Sequence, residues 1–96
     1  MPEMIAKIDT VEASLLINRL CKHFSHKIDA HWTNGTGRLT FSIGECRLEA
    51  SEGLLTLVCQ SPTREELDEL GDVVASHLIR FARGQVDQVP WQATAA

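Results

Sequence analysis

Four histidines, His23, His26, His31 and His77, and three cysteines, Cys21, Cys46 and Cys59, are the side chains of this 96-residue sequence best suited to hold a metal or attack an electrophile. Neutral imidazole is the commonest protein ligand for transition metals. On a continuous helix His23 and His26 would lie about 60° apart on adjacent turns and could chelate together, whereas Cys21 and His23 would lie about 200° apart and could not. A third ligand would come from His77 on a later helix, or less naturally from His31 across the following turn. A plainer role is also open to each. His23 and His26 would sit at a helix C-terminus, where positive charge meets unpaired carbonyls, and His77 would donate to a backbone or carboxylate acceptor. The spacing lacks the Cys or carboxylate pattern of known zinc sites, which favours the plainer reading.

An odd number of cysteines without a CxxC pair points to neither a disulfide framework nor a zinc knuckle, and buried free thiols are expected. No serine or cysteine nucleophile has a readable base and orienting acid, and no carboxylate pair stands in a catalytic motif. The acids Glu65, Glu66, Asp68, Glu69 and Asp72 crowd the expected N-terminus of a helix, where the macrodipole favours them. The expectation is therefore a chain that is not an enzyme and needs no cofactor; a pocket formed only in three dimensions is the alternative.

Apolar residues make up 44% and charged residues 23%, the mix of one ordinary globular domain. The formal charge of -4 opposes phosphate-driven attraction, so nucleic acid is not an expected partner. No apolar stretch approaches the ~20 residues needed to cross a bilayer, and the first residues lack a secretory pattern, so a cytoplasmic location is expected.

The elements that must position these groups follow from periodicity. Met4, Ala6 and Ile8 alternate with polar neighbours as a first strand, and Asp9 with Glu12 reads as a capping box opening a helix. Ala13, Leu16, Ile17, Leu20 and Phe24 then form one apolar stripe that ends near Ser25. From Ile28 the period is two. Ile28, Ala30 and Trp32; Leu39, Phe41 and Ile43; Cys46, Leu48 and Ala50; and Leu55, Leu57 and Cys59 mark four strands with turns at Asn34 to Gly37, Gly44-Glu45 and Ser51 to Gly53. Connections this short allow only an antiparallel meander. Thr63 and Glu66 open a second helix striped by Leu67, Leu70, Val74, Leu78 and Phe81, with Gly84 as its expected C-cap. Val89 to Trp91 reads as a short edge strand, and residues 93–96 as a flexible tail after a single domain of residues 1–92.

The result is α+β, an antiparallel sheet with two helices on one face, in a succession similar to the TATA-binding protein repeats, an analogy of fold alone. Trp32 and Trp91 fall on the helix-facing parity and are expected in the core. The open face would carry Asp29, His31, Thr33, Arg38, Thr40, Ser42, Arg47, Glu49, Thr56, Val58 and Gln60. It is either solvated or a docking surface for a partner protein or a second copy, with His31, Arg38, Arg47 and Glu49 as anchors. Monomer and homodimer are both compatible with it.

Two segments, Leu20-Cys21-Lys22-His23-Phe24-Ser25-His26-Lys27 and His77-Leu78-Ile79-Arg80-Phe81-Ala82-Arg83 with Trp91, resemble the bacterial family known as domain of unknown function 2218. The resemblance runs from about Ala6 to Trp91. Similar domains accompany siderophore-interacting flavin reductases, which implies a connection with iron uptake and a reductase as partner. The family brings no catalytic residues, and this chain has no glycine-rich dinucleotide loop, so reductase chemistry would belong to that partner. Three functions follow as expectations: a small binding or accessory module, a metal-binding protein using His23, His26 and His77, or an enzyme with an unreadable pocket.

Overall fold

The computed structural model describes residues 2–84 and 86–94. Strand β1 (Glu3–Asp9) leads into helix α1 (Ala13–Phe24), followed by β2 (Asp29–Thr33), β3 (Thr36–Phe41), β4 (Gly44–Ser51), β5 (Leu54–Gln60), helix α2 (Arg64–Ala82) and the two-residue β6 (Gln92–Ala93). The strands form one sheet in the order β2-β3-β4-β5-β1-β6, and every neighbouring pair is antiparallel. The α+β architecture expected from the sequence is the one observed.

Three two-residue connections, Asn34-Gly35, Ser42-Ile43 and Glu52-Gly53, set the register of the meander. That register stacks apolar side chains in rows beneath the helices. Leu39, Cys46, Cys59 and Met4 make one row, and Leu48, Leu57 and Ala6 the next, all buried against Leu16, Ile17, Leu20, Leu70, Val74 and Leu78. Each large aliphatic side chain so covered contributes roughly 1.5–3 kcal/mol relative to exposure. Gly37 lies in the second row because a Cβ there would sit 2.7 Å from the Cys21 Sγ and 3.0 Å from the Ile17 Cγ2. Helix α1 therefore rests directly on the β3 backbone.

Helix α2 begins as its sequence implies, with the Thr63 Oγ1 accepting from the Glu66 backbone N–H at 3.1 Å. Helix α1 does not. Asp9 is the last residue of β1, so it cannot cap; the N-cap is Glu12, without a side-chain cap bond, and the Thr10 Oγ1 braces the turn ahead of it by accepting from the Glu12 N–H at 3.3 Å. At the other end of α2 the left-handed C-cap is Arg83 (φ 49°, ψ 49°) and not Gly84, which follows with its own positive φ of 92°.

Four further departures have local causes. Ser42 and Ile43 form the β3–β4 turn, because Phe41 already pairs with Gly44. Trp32 is 37% exposed: it sits on the edge strand opposite Gly37, which offers no side chain to pack against. The last strand is Gln92–Ala93, paired with Ile5 and Met4, while Trp91 turns inward onto the core as expected. Residues 93 and 94 are held rather than loose, the Thr94 N–H donating to the Glu3 carbonyl at 3.1 Å; residues 95–96 of the expected tail lie outside the described residues.

Substitutions at three positions test this packing. At Gly44 a Cβ would collide with the Gln60 carbonyl and the Ser61 hydroxyl, and φ is 154°, so Gly44→Ala is expected to cost about 3 kcal/mol or more in urea unfolding. Gly35→Ala, in open space at φ 87°, should cost about 1 kcal/mol. Trp91 lies against Gly71 with its Nε1 buried and without a partner among the described residues. Trp91→Phe should therefore change stability by less than about 1 kcal/mol, and Trp91→Ala by about 3 kcal/mol.

Candidate functional site

Two concave surfaces hold the side chains singled out above, and they lie on different parts of the fold. The first is a depression of about 430 Å³ on the open face of β2 to β5, lined by His31, Trp32, Arg38, Arg47, Glu49 and Val58 among others. Register makes this face a set of stripes. His31, Arg38, Arg47 and Val58 stand side by side on β2 to β5, and the next stripe runs through Thr36, Glu49 and Thr56. Like charges directly opposite repel, so the Arg38–Arg47 pair needs a counter-ion. Glu45 supplies it: its Oε1 accepts from the Arg47 Nε at 2.9 Å and lies 3.6 Å from the Arg38 Nε. Exposed pairs of this kind contribute roughly 0–1 kcal/mol each, so they orient the guanidinium groups more than they stabilise the fold. His31 is similarly paired, its Nε2 lying 3.0 Å from Asp29.

All four residues expected as anchors, His31, Arg38, Arg47 and Glu49, line this depression. Parity located them because they sit in the middle of regular strands. Trp32 also borders the depression, from the edge strand where its pairing with Gly37 keeps it on the helix-facing parity.

The second surface lies where the C-terminal ends of the two helices meet. The His23 and His77 rings are 5.2 Å apart, and His23 also packs on Phe81 at 5.1 Å and on Phe24 edgewise at 5.3 Å. His77 donates its Nδ1–H to the Val73 carbonyl at 2.8 Å, since a carbonyl can only accept. That is the backbone partner its position implied. Burial pushes the His23 pKa below its ordinary value, aided by the positive fields of His77, Lys27, Arg80 and His26.

Of the three imidazoles considered as metal ligands, the structure pairs His23 with His77 and leaves His26 aside. The reason is that α1 ends at Phe24, so His26 stands on the following turn and the helical angle to His23 no longer applies. Among the described residues no three His, Cys, Asp or Glu come together as a metal ion requires. His26 instead borders, with Arg19, Lys22, His23, Phe81 and Arg83, a cleft of about 410 Å³. Arg19, Phe81 and Arg83 were not identifiable as partners from the sequence; the only hint was basic residues closing both helices.

The thiols are all free and buried. Burial pushes Cys21 up to about 11, and Cys46 is raised well above the ordinary thiol range by its hydrogen bond with Cys59, directly opposite it on β5, and by burial. Thiolate nucleophiles are suppressed by such surroundings.

Comparison with known proteins adds the lineage. The model of a family described as "Uncharacterized protein conserved in bacteria (DUF2218)" matches residues 5–92. The NMR structure of PA4090 from Pseudomonas aeruginosa is similar over 96% of each chain, with 31% identity and a TM-score of 0.80. A search of curated proteins gave no significant match. No helix among the described residues is long and apolar enough to cross a membrane. With a match over nearly its whole length, the chain belongs to this bacterial family of uncharacterised domains.

Proposed function

We propose that this domain is a non-catalytic docking module whose open sheet face receives a partner protein. The carrying observation is the company kept in one concavity: half-exposed Trp32, apolar Val58, and Arg38 and Arg47 already oriented by Glu45. Tryptophan and arginine are the residues that most often dominate interface energy, and pre-oriented groups lose less freedom on binding. Two guanidinium groups side by side suit a partner surface that presents carboxylates.

A siderophore-interacting flavin reductase is the proposed partner, on the strength of the resemblance in the two histidine-bearing segments. In that arrangement the flavin chemistry belongs to the reductase, and this domain contributes binding and orientation. A non-catalytic role is supported by three buried thiols, of which Cys21 is raised by burial and Cys46 by its hydrogen bond with Cys59 and by burial. It is further supported by the outlay of the depression on oriented cations and a bordering tryptophan rather than on an acid–base pair.

The test is co-purification and titration calorimetry of the domain with the reductase of its own host. Binding at micromolar concentration is expected, and Arg38→Glu with Arg47→Glu, or Trp32→Ala, should weaken it at least tenfold without altering the unfolding midpoint. Equal binding by those variants would remove the face from the proposal, and no binding at 100 μM, about -5.5 kcal/mol, would remove the partner. Sedimentation of the domain alone would show a second copy if that is what the face receives.

A further inference from the structure

We infer that the cleft between the helix ends is a separate binding site for a small, multiply charged organic oxyanion, with Arg19, Lys22 and Arg83 as its cationic wall, His23 and His26 beside them as ring donors and Phe81 as its apolar side. It is independent of the sheet-face reading. Nothing in that reading uses these residues.

Charge makes the first argument. Of nine Lys and Arg in a chain of net charge -4, five (Arg19, Lys22, Lys27, Arg80 and Arg83) border this cleft or act electrostatically on His23 at its wall. None of the five forms an ion pair among the described residues, whereas Arg38, Arg47 and Arg64 all do. Among the described residues no aspartate or glutamate lines the cleft. Two helix C-termini present only about half a negative charge each, so their dipoles account for about one of these cations. Among the described residues the rest have no ion-pair partner.

Backbone conformation makes the second. Among the described residues Arg83 alone adopts a positive φ without being glycine, and Gly84 lies directly beside it. A left-handed C-cap is ordinarily glycine because a side chain there is strained. Strain of this kind persists where a site requires the side chain, and the Arg83 side chain lines the cleft.

Size and shape define the ligand. About 410 Å³ falls in the range of small-molecule sites, and cations from both helices face this one concavity, Arg19 and Lys22 from α1 and Arg83 from the end of α2. Arginine forks match phosphate and carboxylate alike. A phosphate ester and a polycarboxylate therefore share the recognised chemistry, and Phe81 with His23 offers ring surface to an apolar or planar body.

The experiment is an NMR titration of the histidine rings at constant ionic strength with ADP, with citrate and with inorganic sulfate. Saturable shifts of His23 and His26 below about 5 mM are expected with ADP or citrate, with His31 silent, and a bound anion should raise the His23 pKa. ADP and citrate together distinguish the phosphate source from the carboxylate source. Arg83→Gly should bind at least fivefold more weakly while its unfolding midpoint stays equal or rises. Arg19→Ala is expected to weaken binding similarly. The site is overturned by shifts that grow linearly to 10 mM, by an Arg83→Gly variant that binds as well as the parent, or by one that is less stable. It is equally overturned if only a single-stranded oligonucleotide binds, since that makes the patch a polymer surface.

Discussion

A single dry layer lies between the sheet and the helices, with Leu39, Leu48 and Leu57 on one side and Leu16, Leu20, Leu70 and Val74 on the other. Everything else in the molecule answers to it. Side chains alternate along a strand, so committing one parity to this layer commits the other to water over the whole sheet, because two helices can cover only one face. A slip of one residue between β3 and β4 would turn either Arg38 or Arg47 toward the helices, and the short hairpin turns prevent that slip. The cationic stripe on the open face is thus a consequence of where grease was needed on the closed one.

The same layer brings the last turn of α1 against the final turns of α2, with the His23, Phe24, His77 and Phe81 rings as the joint. Two negative dipole ends meeting at one corner call for positive charge, which explains why some of it is there. The remaining acids concentrate elsewhere, with Glu65 and Glu66 in the first turn of α2 and Asp68 just beyond them. The molecule is consequently polarised: strongly basic where the helices end, acidic where the second one starts.

Most of this architecture was readable because it rests on periodicity, which local sequence carries. Met4, Ala6 and Ile8 declared their strand by alternation alone, and Leu67 to Leu78 their helix by three- and four-residue spacing. Readings failed where the outcome depended on a neighbour distant in sequence. Trp32 has core parity, but an edge strand paired with a glycine gives it too little cover. Asp9 has the chemistry of a cap, yet pairing with Leu54 keeps it in β1, so the turn passes to Thr10. The open-face anchors followed from parity, whereas the cleft at the helix ends needed Arg19 and Arg83 brought together by tertiary packing. The helical angle between His23 and His26 does not hold, because α1 ends at Phe24 before His26 is reached.

The short ribbon between β6 and β1 has a consequence for how such a unit can be connected. Thr94 donates both its amide and its hydroxyl to Glu3, so the two ends of the described fold emerge side by side at one sheet margin. A larger polypeptide could carry the unit as an insertion, leaving and re-entering at nearly one point without stretching either partner. Because that margin is the one farthest from β2, such a junction would leave Trp32 and its surroundings unobstructed.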